Sequence, residues 1–375
     1  MYNIGLNIKF TDNFDRHVVK GILSFAKEKN WNLYAKGLWF SDLSKAKLDG
    51  IIARIETQED EELCLSYNVP IVDIAGASNN KDLNIVKNND IETGKVCGEY
   101  FLKSGVENYA AILVSNTIWA KERYLGFIKA IGKQAIPIFQ SPLNTWYDTY
   151  GEMEKLDKFL LSLKKPTSLF CVNDLTAMKV AETCLKNNIK IPEELMILSV
   201  DNEELMCMLA KPSLSSISLN LQRIGYEAAS RLEEILTNND TKATIQLIPP
   251  STLVERESTM FVLTSDPFVS KAIMNIRKKA TFGLTCGELI ADIPISRRSL
   301  EERFYKIRGK TLLEEVTEVR LNKAETLLRD TNIKLEGIWK SCGFGSAQRF
   351  FYLVKNKYGF TPKALRKILN STKEN

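Results

Sequence analysis

The sequence has very little of the residues on which metal sites and many catalytic centres depend. Histidine occurs once, as His17, and the seven cysteines contain no C-x-x-C pair. Zinc sites use histidines and paired cysteines, and Ser-His-Asp or Cys-His catalysis would have to run through this one histidine. The sequence therefore predicts no metal site, no cofactor and no enzyme activity.

Long hydrophobic runs and a signal peptide are also missing. No apolar run approaches the ~18 residues that a membrane span requires. The N-terminal stretch MYNIGLNIKF has no basic segment followed by an apolar core and a cleavage site. An odd number of scattered cysteines is typical of a reduced compartment. We therefore expect a cytoplasmic protein that has no membrane partner.

Charge is distributed unevenly along the chain. Residues 267–375 hold 22 lysines and arginines against 11 acidic residues, a net charge of +11, whereas the whole chain has a net charge of +5. Residues 1–266 are therefore acidic, with a net charge of −6. A basic segment attached to an acidic one indicates that the C-terminal part meets a polyanion, although a solvated basic face would carry the same charge.

Apolar runs alternate with amphipathic stretches from the N-terminus to about residue 260. Runs such as AAILVSN, SLFCVND and LMILSVDNE are typical of buried strands, and residues 14–30 place apolar side chains on one helical face. This alternation predicts a mostly parallel sheet with helices on both faces. The stretch is long enough for two lobes that face a cleft, so we expect a two-lobed α/β sensor domain over residues 1–263.

Polar and aromatic side chains recur just after the expected strands, where open α/β sheets bind their ligands. Carboxylates, amides and a guanidinium suit the hydroxyls of a neutral sugar, and indole rings stack on its C–H face. Aspartate and asparagine after strands also serve as helix N-caps, so that role stays open for each of them. The candidate ligand-binding residues are Phe14, Asp15, Arg16, Asp90, Trp119, Arg123, Trp146, Asn173, Asp174 and Asp201.

Motifs in this region resemble the LacI-type and periplasmic sugar-binding domains. VKNNDIETGKVCGEYFLKSG is similar to their D-x-x-x-G helix start, CVNDLTA to their asparagine–aspartate loop and SVDNEEL to their aspartate-bearing loop. The resemblance implies a type I periplasmic-binding-protein-like fold in which the chain crosses between two lobes. LacI-type repressors place a helix-turn-helix before the first strand. This sequence starts on the strand, so we expect DNA binding to reside elsewhere.

Two helix-turn-helix patterns lie in residues 267–375, at about 285–308 and about 333–358. Between them, LLEEVTEVRLNKAETLLRD predicts a helix of ~28 Å, long enough to set two recognition helices into successive major grooves. Ser296 is a suitable N-cap for the first recognition helix. The residues assigned to the core of the two patterns are Leu300, Phe304, Ile338 and Phe350.

Over about residues 269–368, RLNKAETLL and CGFGS with KNKYGFTP resemble the AraC-type DNA-binding domain. Pro294, where the family often has glycine, and Trp339, where it commonly has alanine, depart from the pattern. The resemblance implies an all-α domain, with Arg298 as the best candidate for bidentate bonding to guanine. The implied DNA-binding residues are Arg297, Arg298, Ser299, Glu302, Gln348, Arg349 and Tyr352.

The order of the two domains is itself informative. The chain resembles the regulators of bacterial xylose operons in several short motifs. These are FDRHVVKG, WAKER, VDNEEL, and VEREST followed by LTSDP. The resemblance implies a homodimeric activator that binds D-xylose and double-stranded operator DNA and acts on RNA polymerase. Another pentose or hexose stays open as the effector. From other classes, a sugar-processing enzyme with an accessory DNA-binding domain and a transport-type sugar-binding protein remain as alternatives.

Overall fold

The computed structural model places most of the chain in two compact units. The first comprises Met1–Leu102 and Glu107–Thr259, and the second comprises Lys103–Val106 and Met260–Asn375. No helix among the described residues is long and apolar enough to cross a membrane. The described residues are 1–10, 12–36, 43, 46–141, 150–238, 242–260, 264, 266–331 and 333–374.

The first unit alternates strands and helices along the chain. Its strands are β1 (Asn3–Asn7), β2 (Asn32–Ala35), β3 (Gly50–Ala53), β4 (Ile71–Asp73), β5 (Asn84–Asn88), β6 (Asn108–Val114), β7 (Ile138–Ser141), β8 (Thr167–Cys171), β9 (Leu195–Asp201), β10 (Ser215–Ser218), β11 (Ile245–Ile248) and β12 (Thr252–Val254). Its helices are α1 (Asn13–Lys29), α2 (Gln58–Ser66), α3 (Asp90–Leu102), α4 (Ile118–Ala130), α5 (Tyr150–Ser162), α6 (Asp174–Lys186), α7 (Glu204–Leu209) and α8 (Leu221–Asn238).

The strands form two sheets, one for each lobe. The first lobe has the order β11-β5-β4-β3-β1-β2, and all its strands are parallel. The second lobe has the order β12-β10-β9-β8-β6-β7, in which only β12 runs antiparallel to its neighbour. The chain passes between the sheets after β5, after β10 and between β11 and β12. The predicted two-lobed, periplasmic-binding-protein-like α/β fold is confirmed.

Helices cover the sheets, so the central strands are buried on both faces. Every residue of β3 and β8 is buried, which explains why these strands read as continuous apolar runs rather than as an alternating pattern. In the first lobe, α1 packs against α8, the helix that follows the crossing after β10. In the second lobe, α4 packs in the same way against α3, the helix that follows the crossing after β5.

The α1–α8 contact is made by backbone against backbone. A Cβ atom on Gly21 would lie 1.9 Å from the carbonyl oxygen of Gln222, and a Cβ atom on Gly225 would lie 1.9 Å from that of Val18. Because no side chain fits at these distances, each helix can approach the other only where it has glycine. This pair of glycines therefore fixes where the crossing helix lies in the first lobe.

The second unit is all helical in its described residues and has two hydrophobic cores. One core surrounds Leu300 and Phe304, and the other surrounds Ile338 and Phe350, so the predicted core residues are confirmed. The helices are α9 (Pro267–Lys279), α10 (Cys286–Leu289), α11 (Arg297–Arg308), α12 (Leu312–Asp330), α13 (Leu335–Ser341), α14 (Ala347–Tyr358) and α15 (Pro362–Glu374).

The long helix α12 contributes to both cores and ties them together. Arg320 donates to the carbonyl oxygens of Ala280 and Leu284, at 2.9 and 2.7 Å, in the first half of the unit. In the second half, Gly343 has φ of 75°, and a Cβ atom there would lie 2.7 Å from the Gly283 nitrogen. These contacts hold the two helix-turn-helix halves, and hence α11 and α14, at a fixed separation.

Replacement of Gly225 by alanine tests the close approach of α1 and α8. The added methyl group would overlap the Val18 carbonyl, so the helices must separate, and we expect a loss of ~1–3 kcal/mol in the free energy of unfolding. Gly287→Ala is the matched control, because its nearest neighbours lie 3.9 Å away. Calorimetric unfolding of the full chain measures both variants, and equal behaviour of the two would contradict the account.

Candidate functional site

The centre of the site in the second lobe is the guanidinium of Arg123 on α4, whose residue is only 4% exposed. Its Nε donates to Asp90 Oδ1 at 2.8 Å, and its Nη1 donates to Asp201 Oδ1 at 3.2 Å and to the Val172 carbonyl at 2.6 Å. Asp90 begins α3, Val172 follows β8, and Asp201 ends β9. One side chain therefore joins three elements. The sequence analysis had named Asp90, Arg123 and Asp201 as candidate ligand-binding residues, and the structure brings these three side chains together.

Glycine explains how Arg123 comes so close to Asp90. A Cβ atom on Gly94 would lie 1.7 Å from the Arg123 carbonyl oxygen, and one on Gly126 would lie 1.9 Å from that of Ile91. Gly94 is four residues after Asp90, so the D-x-x-x-G spacing places the carboxylate and the close approach on the same side of α3. The arrangement mirrors the glycine pair of the first lobe.

Trp119 supplies an aromatic face beside this centre. The Arg123 guanidinium carbon lies 4.9 Å from the centroid of the Trp119 ring, within the range of a cation–π contact. The indole is half-buried and sits one turn before Arg123 on α4. The predicted indole and guanidinium are thus neighbours. Trp146, the other predicted indole, lies outside the described residues.

Asp201 is held at the end of β9 in an unusual backbone conformation. Its φ is 105° and that of Asn202 is 48°, both in the region that side-chain-bearing residues rarely adopt. Burial raises the pKa of Asp201 to about 7, while the Arg123 guanidinium opposes this shift. The side chain still exposes 35% of its surface, so it is accessible to a ligand.

Asp174 was predicted as a ligand contact, but its carboxylate is fully engaged with the protein. It is 2% exposed, and it accepts from Ser199 Oγ at 2.5 Å, Ser216 Oγ at 2.6 Å and the Glu203 backbone nitrogen at 2.6 Å. Burial raises its pKa, which these donors oppose. The geometry makes Asp174 a positioning residue that anchors the turn after Asp201.

Asn173 also has a structural role, one that the sequence left open. Its side chain accepts from the Thr176 backbone nitrogen at 2.9 Å and so caps the N-terminus of α6. The residue is buried. Because Asn173 directly follows Val172, whose carbonyl binds Arg123, this cap fixes the backbone that Arg123 contacts.

A second polar cluster lies in the first lobe around Arg54, a residue that the sequence analysis missed. Arg54 Nη1 donates to Asp12 and Asp15 at 2.8 and 2.9 Å, and Nη2 donates to Glu56 at 2.8 Å. Its guanidinium carbon lies 4.9 Å from the centroid of the Phe14 ring. Burial disfavours the charged form of Arg54, but the three carboxylates outweigh it and raise its pKa.

Asp15 is the most buried member of this cluster, at 0% exposed. Burial raises its pKa, and Arg54 opposes the shift. Among the residues that the structure describes, its Oδ2 has no hydrogen-bond partner. Arg16, also predicted, is exposed on α1. Arg54 directly follows β3, and this place at the end of a strand is the signal that could have found it.

The predicted DNA-binding residues lie in the first halves of the two recognition helices. Ser296 caps α11 and Ser346 caps α14, each by accepting from a backbone nitrogen three residues later. The Arg298 side chain is 90% exposed and pairs with Glu302 at 3.0 Å, as Arg297 pairs with Glu301 at 2.8 Å. Ser299 is half-buried, and the exposed members of the set are Arg297, Arg298, Glu302, Gln348, Arg349 and Tyr352.

Comparison with protein families assigns both units. A model of the periplasmic binding protein-like domain matches residues 99–259, and a helix-turn-helix domain model matches residues 289–368. Together with the fold, these matches define a DNA-binding transcription regulator with a periplasmic-binding-protein-like sensor domain and an AraC-type helix-turn-helix domain. This part of the sequence prediction is confirmed.

Individual relatives share this architecture over nearly their whole length. The xylose operon regulatory protein of Haemophilus influenzae is 29% identical, over 97% of this chain and 98% of the relative. The protein of the same name from Escherichia coli K12 is 27% identical, over 95% and 94%. The structure of the xylose-binding transcription activator XylR is 26% identical, covers 98% of each chain and superposes with a TM-score of 0.67. The predicted resemblance to the regulators of xylose operons is confirmed.

A ribose-bound LacI family regulator from Enterococcus faecium shows the fold of the sensor. It is 19% identical, and the match covers 68% of this chain and 98% of that chain with a TM-score of 0.56. The likeness extends over the two-lobed unit and supports its fold only.

Asp201→Asn tests the electrostatics of the cleft. An unfolded aspartate has a pKa near ~3.9, whereas burial raises that of Asp201 to about 7. The folded state therefore holds a proton that the unfolded state releases between these values, and this group makes stability fall as pH rises through them. Asparagine removes this pH dependence, so the stability of the variant relative to wild type should rise from about pH 4 to about pH 7 and then stay constant, on top of a pH-independent cost of losing the ion pair with Arg123.

The measurement is thermal unfolding of wild type and variant between about pH 5 and pH 8, with the exposed Asp82→Asn as control. A stability difference between variant and wild type that does not change over this pH range would contradict the raised pKa of Asp201.

Proposed function

We propose that this protein is a D-xylose-responsive transcription activator that acts in the cytoplasm on operator DNA. The observation that carries the proposal is the buried Arg123, shared by Asp90 and Asp201 in a lobe of a sensor unit that is followed by a helix-turn-helix unit. The choice of D-xylose as the effector rests on the names of the relatives that match over nearly the whole chain.

The chemistry of the cleft suits a neutral polyol. Arg123 is outnumbered by its two carboxylates, so the centre is formally negative and disfavours an anionic ligand, whereas the hydroxyls of a neutral polyol can donate to it. Asp201 retains exposed surface from which it can accept hydroxyl hydrogens, and Trp119 offers an apolar face to a sugar ring. In the first lobe, Arg54 is likewise outnumbered by carboxylates, so this cluster is formally negative as well.

The mechanism is a shift between two states of the sensor. A sugar that contacts Asp201 in the second lobe and residues of the Arg54 cluster in the first stabilises the closed form by the difference between its affinities for the two forms. The closed form then favours operator binding by the helix-turn-helix units of a homodimer. Contact with RNA polymerase completes activation.

An enzymatic function is the alternative from another class. A sugar-processing enzyme needs a carboxylate that is free to act as acid, base or nucleophile. Asp90 and Asp201 each accept a hydrogen bond from Arg123, and Asp174 is occupied by two hydroxyls and a backbone nitrogen. This engagement favours binding without turnover, in agreement with relatives that are transcription regulators.

A calorimetric titration of the full-length protein with pentoses and hexoses tests the effector. D-xylose should bind most tightly, and Arg123→Lys should lose ~10–100-fold in affinity, because lysine cannot serve three acceptors in the fixed geometry of the guanidinium. Arg223→Lys, on the exposed face of α8, is the control and should bind as wild type does.

Tighter binding of another sugar would replace D-xylose as the effector. Full-strength binding by a folded Arg123→Lys variant would remove Arg123 from the sugar site. Chemical change of any sugar in the panel, followed by chromatography, would favour the enzymatic alternative.

Arg298→Ala tests sequence recognition by the first recognition helix. The substitution should cost ~1–3 kcal/mol on a duplex selected by the wild-type protein and should relax specificity at one base position. Lys20→Ala is the control: it removes one positive charge from an exposed position on α1 of the sensor. Fluorescence anisotropy on selected and unrelated duplexes measures both. Equal weakening of both duplexes by Arg298→Ala would make this residue a phosphate contact.

A further inference from the structure

Residues 255–259, which we name the exit segment, are the last residues of the sensor unit. The chain continues into the helix-turn-helix unit at Met260. A side chain of the exit segment, Arg256, reaches back to the turn that carries Asp201. Its Nη2 donates to Asn202 Oδ1 at 2.8 Å, and its Nη1 donates to the Leu214 carbonyl at 2.8 Å. The point where the chain leaves the sensor is thus bonded to the residue next to Asp201.

The turn at Asp201 and Asn202 is suited to pass on a displacement. Both residues have positive φ, and the turn is held by bonds at each side. Asp201 accepts from Arg123, and the Asn202 backbone nitrogen donates to Ser216 Oγ at 3.0 Å. Backbone in sparsely populated regions persists only while its surroundings impose it. A change in the bonds of Asp201 therefore alters the orientation of the Asn202 amide that Arg256 binds.

A second connection reaches the exit segment through α3. This helix begins at Asp90, the other carboxylate of Arg123, and carries Tyr100 ten residues later, a rise of ~15 Å. The Tyr100 hydroxyl hydrogen-bonds to Glu255 Oε1 at 3.0 Å and to Thr259 Oγ1 at 2.9 Å. Both carboxylates that share Arg123 are therefore linked to the exit segment, one by a rigid helix and one by a turn.

Further bonds of the exit segment hold it to the second lobe. Ser258 Oγ donates to the Ile197 carbonyl at 2.6 Å and accepts from the Ser215 nitrogen at 2.8 Å. Ser215 Oγ accepts from the Arg256 nitrogen at 2.6 Å. These three contacts are to residues of β9 and β10, and they fix the position of the exit segment. The bond from Arg256 to Asn202 differs from them because its acceptor is the neighbour of Asp201.

We propose that Arg256 is a positioning residue that couples the ligand state of the cleft to the DNA-binding unit. A ligand that engages Asp201 shifts the turn at Asn202, and the bond between Asn202 and Arg256 transfers this shift to the exit segment and to the chain that follows. The inference rests on the proposed function, because it requires D-xylose at Asp201 and DNA at the second unit. It assigns no direct ligand contact to Arg256.

The experiment measures the coupling factor, which is the affinity of the full-length protein for DNA with D-xylose divided by that without it. The DNA is a duplex selected from a random pool by the wild-type protein. Allosteric coupling factors are typically ~5–150. In Arg256→Gln and in Asn202→Gly the factor should fall by at least about threefold, with the connection through α3 supplying what remains, while D-xylose affinity without DNA stays within about threefold of wild type.

Two design features separate coupling from folding. Glycine adopts the left-handed conformation of Asn202 without strain, so Asn202→Gly removes only the side chain that Arg256 binds. The double variant should show no further loss beyond either single variant, because both remove the same bond. Arg223→Lys, an exposed arginine in an ion pair within α8, is the matched control and should keep the full coupling factor.

The outcomes distinguish the two proposals. If D-xylose changes DNA affinity in wild type and Asn202→Gly retains that change, the inference is overturned while the proposed function stands. Should Arg256→Gln fail to fold, Asn202→Gly alone decides. A wild-type protein whose DNA affinity is unaffected by D-xylose contradicts the proposed function, and the inference falls with it.

Discussion

The sensor depends on a buried guanidinium that must remain paired. Taking a charge such as that of Arg123 out of water costs several kcal/mol unless opposite charges and hydrogen bonds compensate it. Asp90, Asp201 and the Val172 carbonyl provide this compensation, and each comes from a different element. The requirement therefore fixes the relative positions of α3, β8 and β9. The glycine contacts between α3 and α4 are its geometric consequence, because a single methyl group at Gly94 would separate Arg123 from Asp90.

The same arrangement of buried charges lowers the free energy of unfolding of the sensor. Burial raises the pKa of Asp90, Asp174 and Asp201, so each carboxylate carries a desolvation cost in its ionised form. Backbone strain at Asp201 and Asn202 adds to it. Sites that bind ligands commonly give up stability in this way. The turn at Asp201 and Asn202 is strained and lies beside the proposed ligand. A ligand can therefore shift the equilibrium between two conformations of this turn.

The fold and part of the candidate site could be predicted from the sequence, and the residues that were missed were missed for physical reasons. The fold class and the helix-turn-helix unit follow from periodicity and motifs, and Asp90, Arg123 and Asp201 follow from their places near strand ends. Arg54 was missed because an arginine one residue past a buried strand reads as part of it. The structural role of Asp174 was not visible in the sequence, because the hydroxyls of Ser199 and Ser216 reach it only after β9 and β10 pair. Arg256 and Asn202 are 54 residues apart, and no local pattern joins them.

The most direct test of the central claim is a crystal structure of the full-length protein with D-xylose. The account predicts sugar hydroxyl oxygens within ~3.2 Å of both Arg123 and Asp201, the ring against Trp119, and Asp174 still bonded to its serine hydroxyls. A sugar bound away from Arg123, or an Asp174 that turns to contact the sugar directly, would contradict it.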